Sequence, residues 1–252
     1  MMNSIVVSSI VFVSIFAAAV LGMAIRRILP EDHVGSDAKE VVRLATGLIA
    51  TMSALVLGML VSSAKSSYDA SKNEVAEMSS DIVAIDRLLA KYGPETGELR
   101  AEFRQLVEFG LDRLWPSEAS RHAELRPADH GQVLADKLML LEPKNDTQVA
   151  AKTQITSMVI ALHKSQWLLF LKSEQKPIPI PLLVVLILWL AAIFASFGLF
   201  APSNPTVVAT LALSALAVSS AIFIILEMYT PFSGVLRISP EPILEALRQM
   251  GS

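Results

Sequence analysis

Side chains able to do chemistry are few in this sequence and stand far apart. Glu227 closes the apolar run that ends at Leu226. A carboxylate at membrane depth is costly, so it marks an ion or proton path, or else is satisfied by hydration or by a basic partner such as Arg237. His33, next to a proline-broken turn, has the chemistry of a proton switch or metal ligand, and equally of a capping or hydrogen-bonding group. Along the second apolar run, Ala50, Thr51, Ser53, Ala54, Gly58 and Ser62 set small and hydroxyl-bearing groups close to one another. Such a row either lines a polar path or lets another helix approach closely. His122, His130 and His163 are scattered and read as surface residues. There is no Gly-rich phosphate loop, no nucleophile elbow, no His pair at metal-ligand spacing and no cysteine. Catalysis is therefore not expected, nor a metal or cofactor. A membrane enzyme would need polar groups assembled from distant positions.

The elements that must carry these residues are four runs without an ionisable side chain: Ile5 to Ile25, Leu44 to Val61, Pro181 to Phe200 and Val207 to Leu226. Each matches the roughly 20 residues a helix needs to cross hydrocarbon. With 53% apolar residues in 252, the chain belongs in a bilayer. It lacks the repeated alternating segments of a membrane barrel. The second run does not stop at the membrane edge: no Pro or Gly falls between Gly58 and Gly93, so one helix is expected to run on to about Tyr92. Small residues recur along it at Ala50, Ala54, Gly58, Ser62, Ser66 and Ala70, and then large ones at Val75, Met78, Ile82, Ile85, Leu89 and Tyr92. That change predicts a close-packing or lining face in the membrane and a helix-bundle seam beyond it.

The fold class is therefore an all-α integral membrane protein with an extramembrane helical bundle inserted between spans two and three. Its parts are a transmembrane hairpin at 1–61, the bundle at 62–177, a second hairpin at 178–229 and a tail with a short helix at 230–252. The first run has no basic residue ahead of it and Arg26 and Arg27 behind it, so it reads as a retained span, although Ala17 to Ala19 resemble a cleavage site. Arg26, Arg27, Lys39 and Arg43 in the first short loop, against Arg237 and Arg248 in the tail, place that loop in the cytoplasm and the bundle outside.

Within the bundle a helix is expected from about Glu95 to Leu114, with Leu99, Phe103, Leu106 and Gly110 on one face. A loop follows at 117–131, then a shorter helix carrying Val133, Leu134, Leu138 and Leu141. After a cap at Asn145 or Asp146, a long helix with Ile155, Met158, Val159, Leu162, Gln166 and Leu169 runs to about Lys172. Pro177, Pro179 and Pro181 predict an extended collar or a broken helix before span three. Ala201 to Pro205 force a tight turn, and Thr210, Ser214, Ser219 and Ser220 are expected to bond back to their own helix. Ser239 and Pro240 start a last helix with Ile243, Leu244 and Leu247 inward. Net charge is −3 with mixed signs throughout the middle, a solvated face rather than a nucleic-acid groove.

The tail run Leu226-Glu227-Met228-Tyr229-Thr230-Pro231-Phe232-Ser233-Gly234-Val235-Leu236-Arg237-Ile238-Ser239-Pro240-Glu241-Pro242 resembles the ending of the bestrophin-like family, four-span integral membrane proteins of bacteria. Phe197 to Pro202, Asn204 and the His33-Val34-Gly35 turn are similar to its other signatures. The resemblance covers essentially the whole chain and implies residence in the bacterial cytoplasmic (inner) membrane, with kinship to anion channels. The second run holds no regularly spaced aromatic neck and the chain no acid-rich calcium clasp, so calcium-gated chloride conduction is not carried over. The reading is a homo-oligomer in the lipid bilayer forming an ion-channel or transporter-like path for a small ion. The pore-lining or helix-packing candidates are Ala50, Thr51, Ala54, Gly58 and Ser62, with Glu227, Arg237 and His33 as polar or ion-path candidates. The alternative is a non-conducting scaffold or sensor that binds an envelope partner through the bundle.

Overall fold

A computed structural model describes residues 4–30, 35–115, 130–174, 180–202 and 204–250. Among them eight α-helices and a short 3-10 turn occur and no strand. The helices are α1 (Ser4–Arg26), α2 (Ser36–Tyr92), α3 (Gly97–Leu114), α4 (His130–Leu140), α5 (Asp146–Glu174), α6 (Ile180–Phe200), α7 (Pro205–Met228) and α8 (Glu241–Gln249). α1, α2, α6 and α7 are long and apolar enough to cross a bilayer, which makes this an all-α membrane protein. The 57 residues of α2 run unbroken, as the absence of Pro and Gly beyond Gly58 predicts. The chain divides into two units, Met1–Tyr68 with Lys176–Thr230, and Asp69–Gln175 with Pro231–Ser252. The tail thus belongs with the bundle helices rather than standing apart.

In the first unit, α1 is clasped by α6 and α7. Val11, Ile15, Ala19, Leu186, Ala215 and Ile222 are fully buried at its centre. The closest approach lies at two glycines: a Cβ on Gly22 would fall 2.1 Å from the Ala195 carbonyl oxygen, and one on Gly198 2.0 Å from that of Ala19. Spans without a hydrophobic force between them associate through such close contacts. The Arg26 guanidinium donates to the Ala201 carbonyl, and Asn204 caps α7 by accepting from the Val207 N–H at 2.9 Å. Thr210, Ser214, Ser219 and Ser220 all donate to carbonyls of α7, as expected. Trp189 is half-buried among the spans.

In the second unit, Val75, Met78, Ile82, Ile85, Leu89 and Tyr92 are all buried, so the alternating steps of three and four do form the seam. Leu99, Phe103, Val107, Leu134, Leu138, Ile155, Val159, Leu162 and Leu169 of the other helices of this unit are buried as well. Burying each large aliphatic side chain contributes about 1.5–3 kcal/mol. Gly93 ends α2 at φ 149°, a conformation open mainly to glycine. The next helix begins at Gly97, after a 3-10 turn at Pro94–Thr96, rather than at Glu95. Its inward face is Leu99, Phe103 and Val107. Steps of four put Val107 where Leu106 was expected, leaving Leu106 half-buried, and Gly110 backs onto the Gln166 side chain. His130 opens α4 instead of lying in the preceding loop. Asn145 caps α5 by accepting from the Gln148 N–H at 2.9 Å. The collar Pro177 to Pro179 and most of the 117–131 loop lie outside the described residues.

Candidate functional site on the second span

α2 is the span its own chain covers least: 11% of its most apolar window is buried, against 28–33% in the other three. Thr46, Ile49, Ser53, Val56, Leu57, Leu60 and Ala64 turn toward the unit, recurring at steps of three and four. The opposite side exposes Leu44, Gly47, Thr51, Ala54, Leu55, Gly58 and Ser62. Nothing lies within 4 Å of where a Cβ on Gly47 or Gly58 would stand. Of the five candidates on this helix, Thr51, Ala54, Gly58 and Ser62 are thus exposed on one side, and Ala50 is half-buried at its border. Thr51 donates to the Gly47 carbonyl at 2.9 Å, which leaves its oxygen lone pairs free to accept.

The inward side carries polar groups of its own. Thr46 donates to the Ser196 hydroxyl at 3.0 Å, tying α2 to α6. Ser53 is buried and its hydroxyl has no hydrogen-bond partner among the described residues. Tyr229 donates to the Ser63 hydroxyl at 3.1 Å, tying the end of α7 to α2.

Glu227 is buried, 3% exposed, in the last turn of α7. Its backbone carbonyl accepts from the Thr230 N–H at 3.0 Å and the Thr230 hydroxyl at 3.2 Å. Arg237 is exposed, belongs to the second unit and makes no ion pair among the described residues. His33 lies outside the described residues. Among those residues no cluster of His, Asp or Glu could hold a metal.

Two arrangements of the fold go beyond what the sequence pattern predicts. The tight crossing of Gly22 and Gly198 was signalled by small residues four apart, Ser14, Ala18 and Gly22 on α1 and Ala191 and Ala195 on α6, a shorter stripe than the one on α2. The tail, singled out for its resemblance, turns out to be a clamp within the second unit. Phe232 meets Trp115 edge to face at 5.2 Å, and the Trp115 indole N–H donates to the Ile238 carbonyl at 2.8 Å. Ser79 donates to the Pro242 carbonyl at 2.6 Å, and Arg104 donates to the carbonyls of Leu247 and Met250, both at 3.0 Å, at the end of α8. Gly234 at φ 85° lets the loop close so that the Ile238 N–H reaches the Pro231 carbonyl.

Compared with known proteins, residues 12–243 match the profile of the Bestrophin-like domain. No curated protein matches the chain.

Proposed function

The chain belongs to the bestrophin-like family, and from that premise we propose a channel-like function, in which several copies associate around the uncovered face of α2, which borders an axial ion path. The observation that carries this reading is the unused face itself. Gly47, Thr51, Ala54, Gly58 and Ser62 are all exposed, and nothing among the described residues lies within 4 Å of where a Cβ on Gly47 or Gly58 would stand, although small and hydroxyl residues gain most from a neighbouring helix or from water. Four spans enclose little space alone, whereas a closed ring surrounds a pore. The protein then sits in the bacterial cytoplasmic membrane with the bundle outside, a placement supported by Arg26, Arg27, Lys39 and Arg43 in one short loop.

Reconstitution in liposomes tests the proposal. Ion flux that falls with Gly58→Leu or Ser62→Leu, together with a closed oligomer by native mass spectrometry, supports a path; a monomer without flux sinks it. A second reading is a non-conducting scaffold or sensor. It is favoured by a groove of about 440 Å³ between α2 and α8, lined by Ser79, Arg87, Glu245 and Gln249 together with Ala76 and Val83, which would seat an amphipathic partner. No flux together with a stable complex through that groove would favour it.

A further inference from the structure

Between α1 and α7 of the first unit lies a pocket of about 240 Å³, lined by Ser8, Ser9, Phe12, Val13, Leu216, Ser219, Ser220 and Phe223. Both helices are spans, so four hydroxyls gather where hydrocarbon is expected. Ser8 sits about one turn inside the start of α1, and Ser219 and Ser220 about two and a half turns before the end of α7. The pocket is much larger than the roughly 30 Å³ share of one water.

The hydrogen bonds define what fits. Ser8 donates to the Ile5 carbonyl at 3.1 Å, Ser219 to the Leu216 carbonyl at 3.0 Å and Ser220 to the same carbonyl at 2.7 Å. Each hydroxyl proton is spent on the helix, so these three oxygens can only accept. Ser9, at the exposed rim, makes no hydrogen bond among the described residues and remains free to donate. Ser219 is 4% exposed, and facing its lone pairs with plain hydrocarbon forgoes a hydrogen bond in a medium that supplies no other. An occupant that donates to the inner serines and can accept from the Ser9 hydroxyl at the rim satisfies them all, which is what an alcohol does. A phosphate or carboxylate does not fit, because no Lys, Arg or His lines the pocket to balance its charge. Phe12 and Phe223 offer ring surface, and the exposed Val13 and Leu216 lead outward for acyl chains.

We propose that this pocket binds a neutral lipid through one free hydroxyl, of the diacylglycerol kind. The site is separate from the α2 face, so its failure would leave the conduction proposal untouched. In nanodiscs, a photoactivatable diacylglycerol should label peptides containing Ser8–Val13 or Leu216–Phe223 roughly fivefold more than the same lipid with its hydroxyl acetylated, the difference one hydrogen bond makes. Ser220→Leu, at an exposed position, fills the pocket and should abolish that preference with an unchanged melting temperature. Ser219→Ala removes one acceptor without filling space and should reduce it in part. Equal labelling by the two probes, labelling no higher than on the rest of α7 as if water alone filled the pocket, or a preference that survives Ser220→Leu would each overturn the proposal.

Discussion

At the scale of single residues, glycines separate what the fold needs from what it leaves free. Gly198→Ala places a methyl group against the Ala19 backbone, which has no flexible end to move aside, so α1 and α6 must part. The expected cost is about 1–3 kcal/mol, visible as a lower melting temperature in detergent. Gly58→Ala meets open space and should leave that melt unchanged. Asp86 is buried and takes a bidentate pair from Arg100, with both N–H groups at 2.8 Å, which holds the Arg100 pKa above its ordinary value. Asp86→Ala strands the guanidinium, but Arg100 is partly exposed and recovers some hydration. A loss of about 2 kcal/mol in denaturant unfolding is expected.

Asp81 behaves oppositely: burial, and then the nearby Glu77 carboxylate, push its pKa up. The fold thus prefers it protonated. Its favourable contribution is complete below the ordinary carboxylate pKa and disappears as pH rises through the raised value, so the charged form weighs against folding near neutrality. Asp81→Asn should raise the melting temperature at about pH 7 and change little at about pH 3, below the ordinary aspartate value. An equal gain at both would show that charge is not the cause.

At the scale of elements, α8 has little length to hold itself and depends on its clamps. Nine residues are too few for a stable isolated helix in water. Its end carbonyls at Leu247 and Met250 rest on Arg104, and the loop leading to it rests on Trp115. Trp115→Phe keeps the ring against Phe232 and removes the indole donor from the Ile238 carbonyl. Amide exchange should then rise in Ile238 and α8 by roughly fivefold, the equivalent of one hydrogen bond of about 1 kcal/mol. Unchanged protection there would show that the ring contact alone fixes the tail. α2 presents the converse case, a helix whose membrane stretch needs its own chain on only one side.

At the scale of the whole molecule, the proposed function has copies meet at the uncovered side of α2. Gly58→Leu should leave the melt of the isolated chain intact and shift native mass spectra toward smaller assemblies. An unaltered distribution would move the interface elsewhere. The number and type of elements could be read from the chain beforehand, because hydropathy and helical periodicity are local properties that each segment carries alone. Spans, seam, the cap at Asn145 and the long reach of α2 all follow from that. Partner choice was beyond such reading. A stripe of small residues looks the same in sequence whether it meets a helix or empty space, and only three-dimensional packing gave the close crossing to Gly22 and Gly198 and left Gly58 open. Likewise the tail motif showed as a signature, but its work as a clamp on Trp115, Ser79 and Arg104 joins residues more than 120 positions apart. Such contacts arise when the chain folds back on itself, and no local pattern encodes which distant side chain will be waiting.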